Sequence, residues 1–175
     1  VVYDSINVPS KGAINVNFTS KNSEELLKKI KNKFNSQFFT LAGRFSSRKR
    51  IYEITKAFNK YELGNLVVLS DVPNNLKFKN KRIIYLGMIN PNDSRNIISK
   101  SKGLIHFDKY DWCPNIVIGA LCDAVPVICS NFGGTPEIVG EKGLIIKEFP
   151  NDLPHNMEGI NSVSYTHLTL PTSLI

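Results

Sequence analysis

Apolar residues recur along the chain with two alternating spacings. Two stretches place them on one face of a helix, at residues 22–34 (Leu26, Leu27, Ile30 and Phe34) and at residues 50–61 (Ile51, Ile54, Phe58 and Tyr61). In the first stretch, Asn22 followed three residues later by Glu25 predicts a capping box at the helix start. Between such stretches lie short, nearly continuous apolar runs, which are typical of strands buried on both faces.

The alternation extends over most of the chain and predicts a fold class. Strands are predicted at residues 1–8, 37–43, 65–72, 82–87, 103–107, 125–130 and 143–147. Further helices are predicted at residues 90–101 and 114–124, and a helix start at Thr135. Strands that alternate with helices indicate an α/β protein with a doubly wound parallel sheet, which is a Rossmann-like fold.

Three predicted turns between a strand and a helix carry chemically suggestive residues. They are "AGRFSSRK", "HFDKYDWCPN" and "NFGGTPE". Because ligands of such sheets bind at the carboxyl ends of the strands, we expect these turns to meet at one rim. In the last turn, Gly133 and Gly134 permit a sharp bend, Thr135 is the expected N-cap and Pro136 the first helical residue. Taken alone, the glycine pair favours a plain tight turn. The exposed backbone N–H groups make an anion site the alternative, and the other two turns support it.

Composition narrows the classes of partner. The 175 residues are 42% hydrophobic and carry a net charge of +7, which allows anionic ligands. The basic residues are dispersed and form no aromatic-interleaved platform, so we expect no nucleic-acid binding. Three cysteines without metal-like spacing argue against a disulfide framework. We expect Cys122 and Cys129 to pack as small hydrophobic side chains in a reducing, cytoplasmic compartment.

The C-terminal segment departs from the rest of the pattern. From Gly159 to Ile175 the sequence has no charged side chain and fits no helical period. We therefore expect residues 1–160 to form one nucleotide-sugar-binding domain and treat residues 161–175 as a non-native or disordered tail.

The segments "AGRFSSRKRIYEITKAF" and "DWCPNIVIGALCDAVPVICSNFGGTPEIVG" resemble retaining glycosyltransferases of the GT-B architecture, the group 1 or family 4-like enzymes. The likeness covers about the first 150 residues and corresponds to the C-terminal, donor-binding half of that architecture. It implies a nucleoside diphosphate sugar as donor substrate, no further cofactor, and an N-terminal acceptor-binding half as partner. Association with a membrane surface through that other half is left open.

The resemblance assigns residues to the donor diphosphate. Arg44 and Lys49 occupy the positions of its two phosphate-binding cations. A guanidinium and an ammonium suit this role because both stabilise the charge of a leaving diphosphate. Pro114 at a helix start leaves backbone amides exposed that would also face a phosphate or sugar, namely those of Asn115, Ile116 and Val117.

The sugar and nucleoside positions include two departures from the family pattern. Asp111 stands where the family has a glutamate that binds sugar hydroxyls, with Gly133 and Gly134 beside the sugar. Gly119 stands where a second glutamate binds the ribose, and Ile89 is expected to pack against the base. Loss of the second carboxylate favours a non-catalytic nucleotide-binding or interaction module as the alternative function. An epimerase of the same architecture is a third, less favoured because its characteristic acids are not evident.

The sequence assigns no chemical role to four other residues. Cys113 has no neighbouring histidine that would activate it as a nucleophile. His106 is expected to be a packed or rim residue rather than a metal ligand, since no second ligand follows it at regular spacing. Arg48 and Arg50 are expected to be surface charges. No metal ion is required by this reasoning, because Arg44, Lys49 and a helix N-terminus already offset a diphosphate, and no catalytic residue is assigned.

Overall fold

The computed structural model describes residues 23–147, in which strands and helices alternate as the apolar pattern predicts. The helices are α1 (Ser23–Phe34), α2 (Ile51–Tyr61), α3 (Pro91–Ile98), α4 (Asn115–Cys122) and α5 (Thr135–Val139). The strands are β1 (Phe38–Ala42), β2 (Asn65–Leu69), β3 (Ile83–Tyr85), β4 (Gly103–His106), β5 (Val127–Ser130) and β6 (Gly143–Ile146). The predicted first strand, the capping residue Asn22 and the segment 161–175 lie outside the described residues.

The helices carry the charges that favour their ends. In α1, Glu24 and Glu25 lie in the first turn and Lys31 and Lys33 in the last, which complements the helix dipole. In α3, the side chain of Asn90 accepts a hydrogen bond from the amide of Asp93 (2.9 Å), and Pro91 begins the helix. Among residues 23–147, no helix is long and apolar enough to cross a membrane.

The six described strands form one parallel sheet in the order β3-β2-β1-β4-β5-β6. The chain first winds from β1 outward to β2 and β3. It then returns through α3 and continues with β4 on the other side of β1. The winding direction therefore reverses between β1 and β4, and at such a point the loops that leave the two strands diverge and open a crevice.

Both faces of the sheet are covered, which confirms the doubly wound α/β prediction. One face packs a large core cluster against α1, α3 and α4, with Ile30, Ile97 and Val117 almost fully buried. The opposite face packs a second cluster against α2 through Ile51 and Phe58. Successive strand residues point to opposite faces, so each central strand contributes side chains to both clusters. This rigid scaffold fixes the strand ends that carry the loops described below.

The central strands should contribute most of the stability. We expect Leu104→Ala in β4 to lower the free energy of unfolding by about 2–5 kcal/mol, because a fully buried leucine leaves a cavity. The matched control is Leu144→Ala in the edge strand β6, where the side chain is 41% exposed, with an expected loss of about 1 kcal/mol or less. Urea unfolding measures both, and equal losses would contradict this account of the core.

Candidate functional site

Three loops converge at the carboxyl ends of β1, β4 and β5. These strands are neighbours in the sheet, and the loops that follow them are residues 43–50, 107–114 and 131–134. The ammonium of Lys49 contacts Asp111, and the amide of Gly134 donates to the carbonyl oxygen of Asp111 (3.1 Å). The expectation that the turns bearing Arg44, Asp111 and Gly133 meet at one rim is confirmed, and they meet at the reversal of winding.

The first loop directs Lys49 inward. Gly43 adopts a φ of 142°, and a Cβ built on it would lie 3.4 Å from Cδ of Lys49, so the lysine stem crosses the glycine. The carboxylate of Asp71 accepts a hydrogen bond from the amide of Phe45 (3.0 Å), which stabilises the turn after β1. Arg50 has a left-handed backbone, and α2 begins only after it. Lys49 therefore precedes the helix and reaches toward the loop that leaves β4.

Lys49 lies between two carboxylates. Its Nζ is 2.6 Å from Oδ2 of Asp108 and 3.1 Å from Oδ2 of Asp111. The Asp108 side chain is fully buried and also faces Nε of Arg48 at 3.3 Å. The imidazole of His106 completes the group, with its Nε2 3.8 Å from Oδ2 of Asp111. We call Arg48, Lys49, His106, Asp108 and Asp111 the Lys49 cluster.

The electrostatics of the cluster follow from burial and from its two cations. Burial tends to raise the pKa of Asp108, but the Lys49 hydrogen bond, the Tyr110 amide and the charges of Lys49 and Arg48 outweigh it, so the pKa lies below its usual value. Burial lowers the pKa of His106 to about 4, and the Lys49 charge acts in the same direction. At neutral pH, Asp108 is therefore ionised and His106 is neutral.

Arg44 differs sharply from Lys49. Its side chain is exposed at the rim, and within residues 23–147 its guanidinium forms no hydrogen bond or ion pair. It lies close enough to Asp71 to help lower the pKa of that carboxyl, after the larger effect of the Phe45 amide. Of the two cations assigned to the diphosphate, one is open to a ligand and the other is already paired.

The glycine pair allows one loop to lie directly against another. A Cβ on Gly133 would be 2.5 Å from the carbonyl oxygen of Asp111, and a Cβ on Gly134 would be 2.0 Å from that of Trp112. No side chain fits at such distances. The predicted N-cap is wrong: Gly134 precedes the helix without a side-chain cap, and Thr135 is its first residue, because the bend ends one residue earlier than expected. The pair thus fixes the position of Asp111 and Trp112.

The start of α4 agrees only in part with the prediction. Asn115 and Ile116 have no acceptor for their amides in the described chain, as expected for the first residues of a helix. The expectation for Val117 is wrong, because its amide donates to the carbonyl of Pro114 (2.9 Å) and its side chain is fully buried. One turn further, a Cβ on Gly119 would meet nothing within 4 Å.

The remaining predicted residues fall in varied surroundings. Ile89 is half-buried against the larger core cluster, beyond the edge strand β3. Cys129 is buried, and burial raises the pKa of its thiol to about 12. Cys113 and Cys122 are exposed. The expectation that Cys122 packs internally is therefore wrong, because it occupies the last, outward-facing position of α4.

Sequence reasoning missed two members of the Lys49 cluster. Asp108 was not singled out, and Arg48 was expected to be a surface charge, whereas it pairs with the buried Asp108 carboxylate. The available signal was the run His106-Phe107-Asp108, which places polar side chains at and beyond the end of an apolar strand. The sequence predicted that the two loops meet at one rim but not which of their side chains would pair, since the pairing depends on the neighbouring positions of β1 and β4 in the sheet.

Comparison with known proteins establishes the fold. No family model and no curated protein matches the chain. Among solved structures, the chain resembles the C-terminal domain of the glycosyl transferase group 1 family protein LpcC from Francisella tularensis, with a TM-score of 0.54 and 20% identity over 73% of this chain and 75% of that one. At these identities the likeness shows the Rossmann-like fold of the C-terminal domains of GT-B glycosyltransferases.

Two larger proteins contain the same fold as part of their length. The chain resembles WaaG, a glycosyltransferase involved in lipopolysaccharide biosynthesis, with a TM-score of 0.55 and 17% identity over 73% of this chain. It also resembles an α,α-trehalose 6-phosphate synthase from Burkholderia multivorans, with a TM-score of 0.56 and 12% identity over 72% of this chain. The chain spans only 38% and 34% of the lengths of these two proteins.

The glycine pair generates a matched stability test. We expect Gly134→Ala to lower the free energy of unfolding by about 1–3 kcal/mol, because the new methyl group would overlap a backbone carbonyl. Gly119→Ala should instead raise it by about 0.5–1 kcal/mol, since the helix there has free space. Urea unfolding of both variants is the measurement. If Gly134→Ala left the free energy of unfolding unchanged, the close approach of the two loops would be refuted.

The buried imidazole predicts a dependence of stability on pH. The pKa of His106 is about 4 in the folded chain, below the 6.5 of a free histidine, so the unfolded state takes up the proton first as the pH falls. The contribution of neutral His106 is complete above about pH 6.5 and is lost as the pH falls to 4, by about 3 kcal/mol.

Denaturant unfolding between pH 7 and 4, in a buffer with a metal chelator, measures this loss. The charged groups that act on His106 are Lys49, Asp111, Asp108 and Arg48, and all four stay unchanged in the variant that tests the assignment. His106→Phe should flatten the profile relative to the unaltered chain. Parallel profiles for the two proteins would contradict the assignment of the pH dependence to His106.

Proposed function

We propose that this chain is the donor-binding domain of a retaining glycosyltransferase, which transfers a sugar from a nucleoside diphosphate to an acceptor held by another domain. The observation that carries the proposal is the convergence of three loops at the reversal of winding. At its rim lies the guanidinium of Arg44, which forms no ion pair with any described residue. The fold it shares with glycosyltransferase domains supports the same reading.

In this proposal the diphosphate is recognised by charge and by backbone amides. Arg44 binds phosphate oxygens with its planar guanidinium, and the amides of Asn115 and Ile116 add donors at the start of an eight-residue helix. These donors stabilise the negative charge that develops on the leaving nucleoside diphosphate. Lys49 adds positive charge nearby, reduced by its two carboxylate partners.

The sugar and nucleoside then lie on either side of the diphosphate. Asp111 is 24% exposed and accepts hydrogen bonds from sugar hydroxyls beside Gly133 and Gly134. Gly119 faces the ribose without a carboxylate, and Ile89 borders the base. The nucleotide sugar is the donor substrate, no further cofactor is assigned, and the compartment is cytoplasmic. The proposed partner is an N-terminal acceptor-binding half. Where the acceptor lies at a membrane surface, the enzyme would associate with that surface through this half.

A second candidate is a nucleotide-binding or interaction module without catalytic activity. Two observations favour it: the ammonium of Lys49 is held by Asp108 and Asp111, and Gly119 offers no side chain to a ribose. Hydrolysis of nucleotide sugars separates the two candidates. A donor domain joined to its acceptor half releases nucleoside diphosphate at a measurable rate, whereas a module binds the nucleotide and releases none.

Binding measurements test the diphosphate site directly. We expect Arg44→Ala to weaken the binding of UDP, GDP or ADP by tenfold or more, because a charged hydrogen bond is lost, as measured by isothermal titration calorimetry. Gly119→Glu should strengthen it by about tenfold, since a Cβ at this position meets nothing within 4 Å and the added carboxylate would accept hydrogen bonds from the ribose hydroxyls. Lys56→Ala on the exposed surface of α2 removes the same charge elsewhere and serves as the control.

The outcomes separate the two halves of the proposal. Equal losses in Arg44→Ala and Lys56→Ala would show that only net charge matters and would refute the diphosphate role of Arg44. Unchanged affinity in Gly119→Glu would refute the ribose position. Equal affinity for a nucleoside and its diphosphate would remove the basis for a donor site altogether.

A further inference from the structure

The loop after β4 gathers three potential metal ligands in a small volume. His106, Asp108 and Asp111 each offer a ligand atom, and these atoms all lie within 4.8 Å of one another. His106 is the last residue of β4, and the two aspartates follow it in the same loop. The glycine pair packs directly against the backbone of Asp111 and Trp112, which fixes the position of the Asp111 ligand.

The His106 nitrogen is the observation that points to a ligand. The residue is only 3% exposed, and its Nε2 has no hydrogen-bond partner within the described residues. That atom faces the carboxylate of Asp111 at 3.8 Å, which is too long for a hydrogen bond. A buried polar atom without a partner is costly, and a metal ion between the imidazole and the carboxylates would satisfy it.

In the structure, the ammonium of Lys49 supplies the positive charge that compensates the carboxylates of Asp108 and Asp111. Its ammonium contacts both Asp108 and Asp111, and its side chain keeps 17% of its surface exposed. A divalent ion would neutralise the same two carboxylates and would also ligate the imidazole. The lysine stem lies across Gly43 near the surface, so the ammonium has a route to solvent when a stronger cation takes its place.

We propose that His106, Asp108 and Asp111 bind a divalent transition-metal ion, and that the ammonium of Lys49 is the internal cation that competes with it. One imidazole and two carboxylates suit Zn²⁺, Co²⁺ or Mn²⁺ better than Mg²⁺, which favours oxygen ligands alone. This departs from the sequence-based expectation for His106, which considered only ligands at regular spacing. It also places the ion in the Lys49 cluster and not on a bound diphosphate.

Co²⁺ is the probe, because its visible absorption changes when nitrogen and oxygen ligands replace water. The chain is prepared without a polyhistidine tag and titrated with Co²⁺ in the absence of any nucleotide, so the result does not depend on the proposed donor site. We expect the unaltered chain to bind one Co²⁺ ion. Lys49→Met, which removes the competing charge, should bind it at least tenfold more tightly.

Loss of a ligand should have the opposite effect. His106→Phe and Asp111→Asn should each weaken Co²⁺ binding at least tenfold, whereas Glu53→Gln, which removes an exposed carboxylate on α2, should leave it unchanged. The other two histidines of the sequence remain in all variants, so binding by them would persist in His106→Phe. Mg²⁺ at the same concentration should not displace Co²⁺.

Three results would overturn the proposal. The first is that neither the unaltered chain nor Lys49→Met binds Co²⁺ detectably. The second is that His106→Phe binds Co²⁺ as tightly as the unaltered chain. The third is that Glu53→Gln weakens Co²⁺ binding as much as the ligand variants do. Lys49→Met leaves the buried carboxylate of Asp108 without its ammonium partner, and this variant is the one at risk of not folding. In that case the thermal shift caused by Co²⁺ in the unaltered chain, compared with that in His106→Phe, decides the question.

Discussion

The parallel pairing of β1 with β4 is the constraint on which the site depends. The two strands lie side by side in the sheet, although two other strands and the helices α2 and α3 separate them in sequence. One of their loops brings cations and the other brings carboxylates and an imidazole. A strand order in which β1 and β4 were not neighbours would separate Lys49 from Asp108. The polar cluster is therefore a product of topology, and the apolar strands beneath it determine its geometry.

Within that frame, the buried carboxylate of Asp108 imposes the next requirement. A fully buried negative charge is unfavourable unless cations or hydrogen-bond donors compensate it. Arg48, Lys49 and the amide of Tyr110 together supply this compensation. The same arrangement removes Lys49 from the set of freely available cations, and so it changes what the rim offers to an anionic ligand. Arg44, whose guanidinium forms no ion pair within residues 23–147, stays open to such a ligand.

The sequence was sufficient for the elements and insufficient for their contacts. Apolar spacing predicted α2 and β4 to within a residue or two, because each buries a regular face. The role of the Gly133 and Gly134 pair depended instead on another loop packing against it, which local conformation does not reveal. The Val117 amide was expected to be free. It is not, because the tight first turn of α4 lets it donate a hydrogen bond to the carbonyl of Pro114. Long-range ion pairs have no local signature at all.

The distance in sequence between the partners also determines when the cluster can form. Lys49 and Asp111 are 62 positions apart, so their contact closes a long loop, while the helices involve only neighbouring residues. Contacts of this kind come late in folding, because the entropy of loop closure must be overcome before they add stability. Helices and the β1–β2 unit can assemble without them. The ion pairs of the Lys49 cluster thus exist only in chains that have completed the crossover to β4, which makes them a marker of the finished topology.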